Sequence, residues 1–134
     1  MEGLIEIEIA TPERRLAHER TDSVTVPAKR GYVEILPGHA PLAGLLGAGV
    51  LSYSVGGRRK AFAIAGGFLE VAADRVRVLA DSAEPAAEVD VNGARAALQQ
   101  ALQAQAGSSS IEETDSATAA AEQAAARIEA AEEK

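Results

Sequence analysis

His18 and His39 are the only imidazoles among 134 residues, so a general base or a histidine metal site would have to be built around one of them. Neither stands in an HExxH-type spacing, and Glu34, five residues before His39, leaves the ligand count short of what a metal needs. His39 lies in Pro37-Gly38-His39-Ala40-Pro41, where two prolines and a glycine impose a rigid turn, and structural or interface use outweighs catalysis there. His18 reads as an ordinary strand or loop residue. Cysteine is absent, which removes thiol nucleophiles, thiolate metal sites and disulfides. No serine occupies a nucleophile elbow, and Ser108-Ser109-Ser110 reads as a turn and a helix cap. Arg14-Arg15 follows a turn and Arg58-Arg59-Lys60 stands beside Gly56-Gly57, so both read as solvated loop charge. The glycine-rich run Gly44 to Gly49 lacks the Lys-Ser/Thr of a phosphate loop and feeds a strand. No pair of carboxylates is held apart as glycoside hydrolysis requires. These residues point to binding or assembly rather than catalysis.

The elements that hold them fall into two compositions. Residues 1 to 85 contain all five prolines, both phenylalanines, both tyrosines and both histidines. Residues 86 to 134 hold seventeen alanines in forty-nine positions, no proline and no aromatic, a composition that favours helix. The first part has ten basic and eleven acidic residues and the second three and nine. The net charge of -7 therefore divides as -1 and -6 and belongs mainly to the tail. That sign disfavours nucleic acid and anionic membrane surfaces. No apolar run approaches the roughly 18 residues of a membrane span, and the acidic start does not read as an export signal.

In the first part the hydrophobic period is two, as in Ile5, Ile7 and Ile9 set against Glu6 and Glu8. Similar runs lie at Val24 to Val26, Tyr32 to Leu36, Val50 to Val55, Lys60 to Ala65, Phe68 to Val71 and Val76 to Leu79. Turns are expected at Thr11-Pro12, Pro27, Pro37-Gly38, Gly56-Gly57, Gly66-Gly67 and Ala73-Asp74. Strands about ten residues apart with no helix between them predict an all-β, antiparallel two-sheet sandwich over residues 1 to 85. An α-helical hairpin is predicted over residues 86 to 134. Its first helix carries Ala94, Ala97, Leu98, Ala101, Leu102 and Gln105 on one face, with Asp90 or Asn92 as cap. Ser110 and Glu113 have the spacing of a capping box for the second, which Ala117, Ala121, Ala124, Ile128 and Ala131 line. Leu98, Leu102 and Ile128 are the large side chains expected in the seam. Alanine burial contributes less than half of what a leucine does, so the hairpin is expected to be a weakly docked, detachable arm.

Four collinear segments carry a family resemblance: Ile9-Ala10-Thr11-Pro12-Glu13-Arg14-Arg15, Gly31 through Leu42 with the Pro37-Gly38-His39-Ala40-Pro41 turn, Ala65-Gly66-Gly67-Phe68-Leu69-Glu70-Val71, and Val76 through Asp81. With the sandwich-then-hairpin order, the chain resembles the epsilon subunit of F-type ATP synthase, counterpart of the mitochondrial delta subunit. The resemblance implies a non-catalytic rotor subunit of the central stalk, beside the gamma subunit and on the ring of c subunits, coupling ion-driven rotation to ATP synthesis. It implies His39, Ala40, Pro41 and Leu42 toward gamma, and Lys29, Arg30, Gly31 and Tyr32 toward the c ring. The hairpin would approach the alpha/beta head and restrain ATP hydrolysis. The complex would lie on the cytoplasmic face of an energy-transducing membrane, with no direct insertion of this chain.

Many bacterial members of that family bind ATP on the hairpin through Ile/Leu-Asp-x-x-Arg-Ala and further arginines. Here Arg95-Ala96 keeps the end of the motif, Asn92 stands where the aspartate belongs, and Arg127 is the second helix's one arginine. Asn92, Arg95 and Arg127 are therefore the nucleotide-binding candidates of a site short of cationic partners. No resident cofactor or metal is expected. The tail's charge also opposes contact with an acidic segment of the catalytic head. The competing reading is a free-standing β-sandwich ligand-binding module with a helical association tail.

Overall fold

A computed structural model describes residues 3–133. Eight strands come first: β1 (Ile5–Ala10), β2 (Arg15–Thr21), β3 (Val24–Ala28), β4 (Gly31–Ile35), β5 (Leu42–Leu45), β6 (Ala48–Val55), β7 (Arg58–Ala72) and β8 (Arg75–Pro85). A 3₁₀ turn at Ala86–Glu88 leads to the helices α1 (Val91–Ala106) and α2 (Ile111–Ala131). The hydrogen-bonded order is β2-β1-β8-β7-β6-β3-β4, with β5 on the second half of β7.

Gly66 and Gly67 were expected to separate two strands. Instead they lie inside β7, a single strand of 15 residues. The first half of β7 pairs with β6 and the second with β5, while β8 follows it along both halves. The two glycines have φ of +72° and +121°, backbone that side-chain-bearing residues rarely adopt. A Cβ on Gly67 would overlap the Leu79 carbonyl oxygen and stand 2.8 Å from the Ala80 Cα. This point lets β7 and β8 pass from one layer of the sandwich into the other.

Ile5, Ile7, Ile9, Val76 and Val78 from one layer meet Val24, Val26, Leu51, Tyr53, Phe62 and Ile64 from the other in one buried cluster. The pairing is antiparallel except between β1 and β8, which run parallel, so the all-antiparallel expectation needs that correction. Two further strands escaped the period-two reading. β2 buries only Thr21 fully and shows no clean alternation, and β5 lies in Leu42-Ala43-Gly44-Leu45 at the start of the glycine-rich run.

The helix starts follow local chemistry. Asp90 accepts the Gly93 N–H and caps α1, which settles the choice between Asp90 and Asn92. Ser110 accepts the Glu113 N–H at 3.0 Å. The Glu113 carboxylate in return takes the Ser109 N–H at 2.8 Å and the Ser109 hydroxyl at 3.1 Å, one residue away from a regular capping box. These bonds hold its pKa below the ordinary carboxylate value.

α2 lies against β6 and β7, and α1 packs on α2. The contact with the sheet is small-residue packing of Ala130 on Val50, Ala61, Ala63 and Ala86. Of the large side chains expected in the seam, Leu98 and Ile128 are half-buried and Leu102 is 43% exposed, while the fully buried positions there are Ala94, Ala101, Ala117 and Ala124. Alanines let the helix backbones approach closely, and Leu102 stays at the margin.

Candidate functional site

Of the first interface set, His39 is half-buried, Ala40 and Pro41 are exposed, and Leu42 packs on the core. The turn is pinned from outside. Gly38 donates its N–H to the Asp74 carboxylate at 2.7 Å, and the Ala73-Asp74 turn is built from two positive φ values, +51° and +60°. His39 Nδ1 donates to the Ala40 carbonyl at 2.6 Å, which assigns its tautomer and keeps the ring against its own loop.

The second set lies at the opposite end of β4. Lys29 and Arg30 are exposed, and the Lys29 N–H bonds the Leu45 carbonyl at 2.8 Å, so the 28–31 loop leans on the 45–47 loop. Tyr32 has a structural task as well. The Pro27 carbonyl takes the Gly47 N–H at 2.9 Å where the pairing of β3 with β6 gives out, and the Tyr32 hydroxyl accepts the Val50 N–H at 3.0 Å. Gly49 makes room, since a Cβ there would lie 2.8 Å from the Pro27 Cβ. One edge of the Tyr32 ring is thus committed to the fold and the other faces solvent.

Sequence periodicity alone did not single out the feature between these loops. On the outward face, pairing aligns Ala10 with Leu79, Leu79 with Phe68, and Phe68 with Leu45. Leu45, Phe68 and Leu79 are 53, 47 and 47% exposed. This gives an apolar row across β1, β8, β7 and β5. Successive rows toward the Ala73-Asp74 turn are ionic. Arg77 meets Glu8 at 3.3 Å and Glu70 at 4.0 Å, Arg15 meets Glu8 at 3.2 Å, and Arg75 meets Glu6 at 3.0 Å. His18 joins this ladder, with Nε2 3.4 Å from Glu6 and Nδ1 3.3 Å from the Arg15 guanidinium. The His18 hydrogen bond lowers the Glu6 pKa, assisted by Arg75. Isolated apolar side chains on a surface need no explanation, but a contiguous row bordered by satisfied charges is the candidate interaction face.

The nucleotide candidates are separated by their surroundings. Asn92 and Arg95 are exposed on α1. Arg127 on α2 is half-buried and bound to Glu84 on β8 at 2.8 Å. It lines a hollow of about 1090 Å³ between hairpin and sheet, which neither Asn92 nor Arg95 lines. That hollow also receives Arg14, but Glu84, Glu88, Glu112 and Glu113 outnumber the two arginines and disfavour a polyphosphate. Among the described residues no cluster of His, Asp and Glu is arranged to hold a metal, and no helix is long and apolar enough to cross a membrane.

Residues 4–86 match the family model described as ATP synthase, Delta/Epsilon chain, beta-sandwich domain. The chain belongs to the ATP synthase delta/epsilon family. It is 56% identical over 99 residues to an ATP synthase epsilon chain of Solibacter usitatus, spanning 74% of each chain. An ATP synthase epsilon chain of Myxococcus xanthus is 42% identical over 125 residues, 93% of this chain and 89% of the relative. A chain in the cryo-EM structure of the Euglena gracilis mitochondrial ATP synthase, containing OSCP, F1 and c-ring, superposes with a TM-score of 0.82 at 25% identity over 98% of this chain and 82% of its own. A chain from the Tetrahymena thermophila central stalk and c-ring shares the fold, with a TM-score of 0.66 at 16% identity over 94% and 95%. The ATP synthase delta/epsilon assignment makes this molecule a subunit of a larger complex, in which uncovered apolar surface has a place to go.

Proposed function

We propose that the chain is a non-catalytic rotor subunit that docks through its sandwich on the gamma subunit and the c ring and couples ring rotation to gamma. The observation that carries this reading is the apolar row Ala10–Leu79–Phe68–Leu45, left uncovered on a rigid sandwich. Burying the exposed halves of its three large side chains would contribute on the order of 1 kcal/mol each. The neighbouring ion-pair rows supply polar rim contacts that fix orientation more than affinity. The row and the His39–Pro41 turn form the gamma-facing side, and the loop Lys29, Arg30, Gly31 and Tyr32 faces the ring. With no membrane-spanning helix among the described residues, attachment to the cytoplasmic face of the membrane runs through these partners.

The hairpin is the regulatory arm that approaches the alpha/beta head. Its acidity opposes a brake that works by contact with an acidic catalytic segment, and Arg127 would have to leave Glu84 before meeting a nucleotide phosphate. Restraint of hydrolysis by this hairpin is therefore weak, and ATP is not a resident ligand. The test is to titrate an alpha-beta-gamma complex from the same source with the full chain and with a chain ending at residue 85, at low salt. Stoichiometric binding with nearly equal ATPase rates is expected. Absence of binding by the full chain overturns the rotor reading, and a several-fold higher rate with the shortened chain overturns weak restraint.

A further inference from the structure

Asn92 is the chain's only asparagine, and a glycine follows it. Such a pair is chemically unstable, because the backbone nitrogen after an asparagine can attack the side-chain amide carbon and a glycine has no side chain to obstruct it. The pair lies in the first turn of α1, with Asn92 exposed and Gly93 half-buried. The glycine is needed by the helix start. Its N–H is donated to the Asp90 carboxylate at 3.1 Å, and a Cβ there would stand 2.6 Å from Asp90 Oδ2 and 3.0 Å from its Cγ. The cap therefore demands the one residue that leaves Asn92 vulnerable. The same cap guards it. Helical backbone at Asn92 points the Gly93 nitrogen along the helix and away from the Asn92 side chain. That turn is held closed by the Gly93 bond and by the Ala94 N–H on the Asp90 carbonyl at 2.9 Å.

We propose that Asn92 is a site of spontaneous deamidation, and that the Asp90 cap sets its rate by controlling how often the first turn of α1 opens. In the open turn the Gly93 nitrogen bonds to Asn92 Cγ. Its proton and the side-chain nitrogen leave as ammonia, and a cyclic succinimide remains. Water then adds to one of the ring carbonyls and breaks its bond to the Gly93 nitrogen. Opening at Cγ gives aspartate, whereas opening at the main-chain carbonyl gives isoaspartate, whose main chain runs through the former side chain. The products act on α1 in opposite directions. The first turn carries no acidic residue, so the aspartate product adds a negative charge where the helix dipole favours one. Isoaspartate lengthens the main chain by a methylene between Asp90 and Ala94 and breaks the hydrogen-bonded ring that joins them. The extent of conversion thus records how long and how often this single turn has been open.

The purified full chain is incubated in neutral buffer, folded and in urea, beside folded Asp90→Ala and Asp90→Ser. Conversion is read by mass spectrometry on the tryptic peptide 78–95, which holds no other side-chain amide. Folded wild type is expected to convert measurably but more slowly than the unfolded chain, with aspartate and isoaspartate both formed. Asp90→Ala loses the cap acceptor and is expected to convert about fivefold faster, while Asp90→Ser keeps an acceptor and stays within about twofold of wild type. Folded wild type that keeps its amide while the unfolded chain loses it overturns the site. Asp90→Ala converting no faster than wild type overturns control by the cap. Asp90→Ser converting as fast as Asp90→Ala overturns it as well, because lost charge and not a lost hydrogen bond would then be responsible. Unchanged amide exchange of the β-strands in both variants separates opening of this turn from loss of the fold.

Discussion

Gly67 shows how much of this molecule depends on single backbone positions. It combines φ of +121° with a site where any Cβ would overlap the opposing strand, and that strand is the one that supplies Leu79 to the exposed apolar row. Gly67→Ala should therefore lose about 1–3 kcal/mol or more, read as a lower urea midpoint; an unchanged midpoint would show that the bend tolerates ordinary backbone. Glu19 offers a second test. Burial raises its pKa, but the Lys60 ammonium at 2.6 Å and the Tyr53 hydroxyl more than offset this and leave it below the ordinary value. Burial, followed by the Glu19 contact, raises the pKa of Tyr53. A lowered carboxylate pKa contributes stability above the unfolded value, and that contribution is lost as pH falls through the folded one. Glu19→Gln should accordingly lose less stability than wild type between neutral pH and about pH 3. Parallel pH profiles would contradict this assignment.

At the scale of elements, the hairpin is governed by close approach of small residues. Leu102→Ala should change stability by no more than about 0.5 kcal/mol because the side chain is largely exposed. Ala101→Leu should cost about 1–3 kcal/mol by overpacking the seam. Denaturant melts that gave the reverse order would restore the leucine seam expected from helical spacing. That expectation failed at Leu102 alone: helical spacing put Ala94, Ala101, Ala117 and Ala124 on the packing faces, where they are buried, but alanine occupies several faces of α2, so Ala126 and Ala130, which are buried as well, were not distinguished from their neighbours. Caps were more legible, since Ser110 and Asp90 act within three residues of chain. The same contrast holds among strands. Ile5, Ile7 and Ile9 announce β1 because each alternate side chain enters the core. β2 lies at the edge of the order and has little to bury, while β5 is half glycine and alanine. The continuity of β7 through Gly66-Gly67 is set by its long-range pairing with β8, and local turn chemistry pointed the other way.

At the scale of the whole molecule, the exposed apolar row arises from register. Leu45, Phe68 and Leu79 are far apart in sequence and become a row only when three strands align them. The turn at His39 was visible through its prolines and glycine and the loop at Lys29 only through the family resemblance, whereas the surface between them required the sheet. The role proposed for this row is docking on the central stalk. Its most direct test is the affinity of full-length Phe68→Asp for the alpha-beta-gamma complex, beside wild type, with circular dichroism confirming the fold of each. Saturable binding by wild type and a loss of about tenfold or more in the variant are expected, because a carboxylate would be buried in an apolar contact. Equal affinity of the two folded proteins would contradict it and move the docking surface elsewhere on the sandwich.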